Sequence, residues 1–277
     1  MNLGKLIKKL WRFSIDNYFI SIFLACIAFV IFVSVYRLFA VKPTYVYVKV
    51  KMGQGLWWAS TAKTPIWFVN SIKKGDTESG LTGNPSAKIL SVRYYPWGGS
   101  NQYDVYLILK LRVTGNKKTG YSFNRSTIGV GAPIDFEFPS VQFSGIIIDL
   151  SEKPFKEKFI EKTVYLAKGS GYYKDFPFPY ENIIIGDKYF DGEDYVFEVL
   201  DKKLQKQIWT VANNLTGQLF EQEAETAQQI IVKAKIKVKE INKQLVYGED
   251  QVVILNRSLN ISTSRVSFGD YSIIGIE

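Results

Sequence analysis

The sequence predicts a mainly β protein of barrel or sandwich character, with two tandem related domains behind one N-terminal transmembrane helix. Three observations predict it. Residues 18–35 read YFISIFLACIAFVIFVSV, with no charge, Gly or Pro. The remainder is rich in Val, Ile and aromatic residues (aromatics make up 15% of the chain), a composition that suits strands. One ordered set of features then occurs twice, the mark of an internal duplication.

The helix comes first. A run of about 18–20 apolar residues spans the hydrocarbon core of a bilayer. Lys5, Lys8, Lys9 and Arg12 precede it against one acid, Asp16. Basic flanks of this kind stay in the cytoplasm. The expected organisation is a basic cytoplasmic flank over 1–17, a spanning helix over 18–40, and extracytoplasmic domains in the plasma membrane's outer space. A cleaved signal peptide fits poorly, because the apolar core is too long and the exit at 36–40 lacks a small-x-small site. Leu24-Ala25-Cys26 faintly resembles a lipidation site, but more membrane-like sequence follows, so Cys26 reads as a small residue of the helix. Leu3, Leu6, Ile7, Leu10 and Phe13 fall at helical spacing and suit either an interfacial helix or a plain basic flank.

The repeats follow, at 41–150 and 162–277. Each begins with a strand-like run and a Gly-x-Gly, at Gly53/Gly55 and Gly169/Gly171, then two aromatics, Trp57/Trp58 and Tyr172/Tyr173. A proline-bearing aromatic stretch ends each time in Gly-Asp, at Gly75-Asp76 and Gly186-Asp187. An alternating strand comes next. In the first copy Val105, Leu107, Leu109 and Leu111 share a face. In the second Val232, Ala234, Ile236 and Val238 face inward, while Lys233, Lys235, Lys237 and Lys239 form an outer ladder, read as a solvated face or a protected edge. Each copy closes in a hairpin-like tail. The Gly-Asp pairs lie 111 residues apart, but the late strands lie about 125 apart. The surplus coincides with Leu200, Leu204, Ile208, Val211, Leu215 and Leu219, whose spacing of three and four predicts an amphipathic helix over about 201–223. The charged, proline-bearing stretch 151–161 reads as the linker.

Composition excludes several chemistries. The chain has no His, so Ser-His-Asp and Cys-His sites and His-ligated zinc are absent. Its single Cys lies in the helix, so no disulfide braces the external part. The net charge of +9 is dispersed and partly carried by the anchor region, which does not make a nucleic-acid footprint. No motif calls for a cofactor or metal. The acid-rich 187–194 (DKYFDGED) lacks the spacing of a calcium loop and reads as a turn. Asp135 and Glu137 are a carboxylate pair of the kind glycosidases use, yet they alternate like solvent-facing strand residues. Trp57, Trp58, Trp67, Tyr94, Tyr95 and Trp97 cluster in the first copy and form the candidate ligand or partner surface.

The first copy with its anchor resembles an uncharacterised bacterial family of single-pass membrane proteins with a small extracytoplasmic β domain. The residues that carry the likeness are Ile72-Lys73-Lys74-Gly75-Asp76, Ala87 to Val92, Ile128-Gly129-Val130-Gly131-Ala132-Pro133-Ile134 and Ser144 to Asp149. That resemblance implies a fold and an address but no activity. A fainter similarity, through the glycine steps at Gly75, Gly131 and Gly145, is to the mammalian-cell-entry domains of lipid-transport systems, and it implies rings that carry hydrophobic molecules.

The expected function is a non-enzymatic, membrane-anchored scaffold or adaptor of the cell envelope. Its expected partners are the bilayer and either further copies of itself or an envelope protein. Two alternatives remain at this point: an oligomeric component of lipid transport, and an envelope hydrolase working through carboxylates.

Overall fold

The computed structural model describes residues 17–40, 43–53, 63–80, 83–97, 101–169, 180–212 and 216–277. The basic flank, Gly55, Trp57, Trp58, Gly171, Tyr172 and Tyr173 lie outside them. The chain divides into two compact units, Met1–Thr44 and Tyr45–Glu277. The first holds helix α1 (Tyr18–Ala40), with 19 residues, Tyr18–Tyr36, long and apolar enough to cross a membrane. Within that stretch the large side chains are exposed, Phe19, Phe23, Phe29 and Phe32 among them. An apolar surface all round a helix is what a lipid environment accepts and water does not. Ser34 donates to the Val30 carbonyl, which satisfies its hydroxyl within the helix.

The second unit is built on two antiparallel sheets, and over half of the chain is strand. The first sheet contains β1 (Thr44–Gly53), β2 (Thr64–Pro65), β3 (Thr77–Ser79), β4 (Pro85–Pro96), β5 (Gln102–Asn116), β6 (Gly120–Phe123), β7 (Ser126–Ile128), β8 (Pro133–Glu137) and β9 (Gln142–Ser151). A one-turn helix, α2 (Ile66–Val69), follows β2. The main path is β3-β4-β5-β1-β9-β8, curved into a half-barrel. Alternation sets its inner face: Val46, Val48 and Val50 from β1 and Val105, Leu107, Leu109 and Leu111 from β5 are fully buried, as the sequence pattern predicts. Phe136, Phe138 and Phe143 stack where β8 and β9 close the core.

The second sheet contains β10 (Phe159–Gly169), β11 (Lys188–Phe190), β12 (Tyr195–Ala212), β13 (Leu219–Ile241), β14 (Gln244–Tyr247), β15 (Gln251–Val252) and β16 (Ser272–Ile276). Its path is β11-β12-β13-β10-β16. This is the order of the first sheet from β3 to β9, element for element. The irregularities also coincide. Ser86 and Val196 are the extra residues where β3 meets β4 and β11 meets β12. Leu90 and Leu200 bulge between β4 and β5 and between β12 and β13. Ile148 and Ile274 bulge against β1 and β10. Each Gly-Asp pair makes the same turn: the Gly75 and Gly186 amides donate to the Ile89 and Val199 carbonyls, and those residues' amides donate back to Asp76 and Asp187. Bulges redirect strands at fixed places. Six at equivalent positions are not expected of unrelated β segments.

Two expectations are corrected. The described residues of 201–223 form no helix: they belong to β12 and β13, which lengthen into a ribbon that pairs from Gln205↔Gln229 to Lys206↔Gln228 and, after a shift in register, from Ile208↔Glu223 out to Ala212↔Leu219. The linker is shorter than 151–161, because Ser151 still belongs to β9 and β10 begins at Phe159.

Candidate functional site

The densest constellation of chemical groups lies between the two sheets. It starts from the acid-rich turn joining β11 to β12. Asp191 is fully buried. Its Oδ1 accepts the amides of Glu193 and Asp194, both at 2.9 Å, which folds the turn on itself. Its Oδ2 accepts from the Arg93 guanidinium and from the Tyr95 hydroxyl at 2.9 Å, and both of these residues stand on β4. Gly192 has φ +105°, and a Cβ there would lie 2.5 Å from the Val92 carbonyl oxygen. Only glycine lets the turn approach β4 this closely. The backbone joins too: the Tyr94 amide donates to the Asp191 carbonyl at 2.8 Å. Tyr189 donates to the Tyr94 carbonyl, also at 2.8 Å.

A second hub is Glu157, in the segment between β9 and β10. Its Oε1 lies 2.7 Å from both Lys49 of β1 and Lys239 of β13. Glu249, after β14, bridges the same two amines at 2.9 and 2.5 Å. Asp250 accepts from Lys51 and from Tyr106, each at 2.9 Å. Arg93 also lies over the Phe159 ring, 4.8 Å from its centre. Burial disfavours charge on Arg93, but Asp191 and Asp194 outweigh it and raise its pKa. Burial alone would raise the Glu157 carboxyl, yet Lys239 and Lys49 hold it below its ordinary value. Burial and then Asp191 push the Tyr95 hydroxyl well up, so it donates and stays neutral.

These placements revise the candidate surface. Tyr95 is 2% exposed and packs into the second core, its ring 5.6 Å from Tyr247. Tyr94 is half-buried between Tyr103 and Tyr189. Trp97 is exposed, with Lys63 lying 5.2 Å over its ring. Trp67, 66% exposed, borders a groove of about 600 Å³ with Phe68, Met52, Gln142, Asp135 and Glu137. Among the described aromatics, Tyr94 and Tyr95 serve the contact between sheets, whereas Trp67 lines a separate groove; Trp57 and Trp58 lie outside the described residues. Asp135 and Glu137 do reach that groove. Gln142 donates to Glu137 at 3.3 Å. The lysine ladder of β13 is graded instead of uniformly solvated. Lys239 is buried in the network, Lys237 pairs with Asp194 at 3.3 Å, and Lys235 pairs with Glu161 and Glu198.

The roles of Arg93, Asp191, Glu157 and Glu249 were missed from the sequence. The only local signal was the Asp-Gly-Glu-Asp turn, which reads as a turn and names no partner. No family model, curated protein or solved structure matches the chain, so the likenesses noted above rest on its motifs alone.

Proposed function

We propose that this chain is a non-enzymatic, membrane-anchored scaffold or adaptor of the cell envelope, with its N-terminus cytoplasmic and its β unit outside. The observation that carries the reading is the use of the buried charge. Arg93, Lys49, Lys239, Asp191, Glu157 and Glu249 are bound to one another across the sheet junction. Charged groups held in mutual pairs make a stiff body and are not poised for proton transfer. A stiff two-sheet body with an apolar anchor suits presentation of a surface at a fixed membrane.

The test is native mass spectrometry of the full-length protein from mild detergent, with affinity capture from solubilised membranes in parallel. A stoichiometric oligomer or a defined protein partner is expected. A lipid-free monomer with no captured partner would overturn the reading. A defined ring with co-purified lipid would replace it with lipid transport.

A further inference from the structure

The first sheet gathers basic charge at one end. Asp104 and Asp135 bracket a stretch with no acid and five bases, Lys110, Arg112, Lys117, Lys118 and Arg125. They lie on the second half of β5, on its hairpin to β6 and on the turn to β7. Two contacts fix where that is. Lys110 Nζ lies 4.2 Å over the Tyr45 ring, and Lys51 Nζ lies 3.4 Å from Asp104. β5 therefore runs antiparallel to β1, and its residues from Arg112 to Asn116 lie at or past the start of β1. The hairpin folds over this end of the first core, where Tyr121, Phe123 and Ile128 are buried. Tyr121 donates to Glu152, just after β9, at 2.5 Å.

These bases are not neutralised as those of the sheet junction are. Lys110 stands directly opposite Lys88 in the register of β4 with β5. Like charges so placed repel. Among the described residues none of the six forms an ion pair. The acids nearby are engaged elsewhere, Glu152 by Tyr121 and Glu78 by Asn124 at 3.2 Å. The short stretches 41–42 and 81–82, outside the described residues, contain no acid. Lys88, Lys117, Lys118 and Arg125 are exposed. The equivalent hairpin of the second sheet, from β13 to β14, turns through Asn242 and Lys243 with Glu240 close by in sequence. The basic end belongs to the first copy alone, the copy next to the anchor.

The chain's own length points to the partner. α1 ends at Ala40 and β1 begins at Thr44. Those four residue steps reach at most about 14 Å. The attraction of a base to an anionic surface extends over about a Debye length, about 10 Å at 0.1 M salt. A chain anchored by α1 thus keeps the start of β1 within reach of the headgroups. We propose that the basic end of the first sheet docks on anionic lipid headgroups of the membrane that holds the anchor. The ligand is the phosphate-bearing lipid surface, whose charge is the counter-charge that Lys88 and Lys110 lack. This inference rests on the membrane-anchored reading and gives the scaffold a fixed face toward the bilayer.

The experiment places the full-length protein in lipid nanodiscs, one set of phosphatidylcholine alone and one of phosphatidylcholine and phosphatidylglycerol in equal parts. Acetylation of lysine amines is then read by peptide mass spectrometry. Lys117 and Lys118 are expected to react about fivefold more slowly in the anionic discs, the effect of one base near such a surface. Lys243, at the equivalent turn of the second sheet, is expected to react equally in both. At about 1 M salt, where the Debye length is about 3 Å, the protection is expected to vanish. Arg112→Glu with Arg125→Glu keeps both reporter lysines and is expected to remove their protection, whereas Arg112→Lys with Arg125→Lys is expected to retain it. Melting in detergent reports the folding of each variant. Equal reaction of Lys117 and Lys118 in the two lipids overturns the inference, as does protection of Lys243 to the same degree. Protection that survives the paired Glu substitutions in a normally melting protein also overturns it. A protein that enters no disc removes the anchored reading as well, whereas unprotected lysines in loaded discs remove this inference alone.

Discussion

Asp191 carries a charge at zero exposure, and three groups from another sheet converge on its turn. Removing one member of a buried ion pair strands the other, which costs about 3–5 kcal/mol. Asp191→Ala should lower the unfolding free energy of the full-length protein by that amount, read by denaturant titration of tyrosine and tryptophan fluorescence. A loss below about 1 kcal/mol, the worth of an exposed pair, would mean that the turn is not seated on Arg93 in solution. Glu157 makes a pH prediction. Its carboxyl is held below its ordinary value of 4.5 after Lys239 and Lys49 overcome the cost of burial. Asp250 is likewise held below 3.8, with Lys51 outweighing burial. A carboxylate with a depressed folded pKa contributes stability that is complete above its unfolded pKa and is lost as pH falls through the folded one. The melting temperature should hold from pH 7 to about 5 and then drop below pH 4.5. Glu157→Gln should start lower at pH 7 and show a shallower acid limb, and an acid limb of unchanged depth would remove Glu157 from the account. None of these partnerships was legible in the sequence. Arg93 and Asp191 are 98 positions apart. A charge's partner is set by where the sheets meet, and no local pattern encodes that.

At the scale of elements, what could be read and what could not have one cause. The strands β5 and β13 were legible because buried and outward residues alternate without interruption, from Val105 to Leu111 and from Val232 to Val238. The ribbon was not. Leu200, Leu204 and Ile208 recur every four residues, a spacing that one face of a helix and one side of a strand share. Leu200 is itself the extra residue of a bulge, and the register shifts again between Lys206 and Ile208, so alternation breaks where it was needed as evidence. The deciding fact was a partner strand on the far side of a turn. The ribbon's position predicts its energetics. The second core ends at Ile230, which is fully buried, and the described apolar side chains further out are exposed. Replacing 206–228 by Asn-Gly closes the hairpin at Gln205↔Gln229 with a two-residue turn. The shortened protein should melt within about 4 °C of the wild type, a shift worth about 1 kcal/mol at this size. A larger fall in a scanning fluorimetry trace would show that the ribbon packs back on the sheet.

For the whole β unit, the repeats invite the expectation of two domains that fold apart, yet the side chains are arranged against it. Each sheet has its own buried cluster, but Tyr95 and Tyr106 of the first sheet belong to the second cluster. Lys49 and Lys239, one from each sheet, share the same two carboxylates. Unfolding either sheet alone would expose the tyrosines and strand several buried charges, each costing several kcal/mol. Partial unfolding is therefore disfavoured relative to loss of both sheets together. Calorimetry of the full-length protein should show one transition for the β unit, with equal calorimetric and van't Hoff enthalpies. Asp191→Ala combined with Glu157→Ala and Glu249→Ala breaks both hubs and should divide that transition into two, since the inner faces of the sheets are left intact. Two transitions in the wild type would mean that the junction does not couple the sheets. One transition in this combined variant would place the coupling in the tyrosine contacts, which Tyr95→Ala would then abolish.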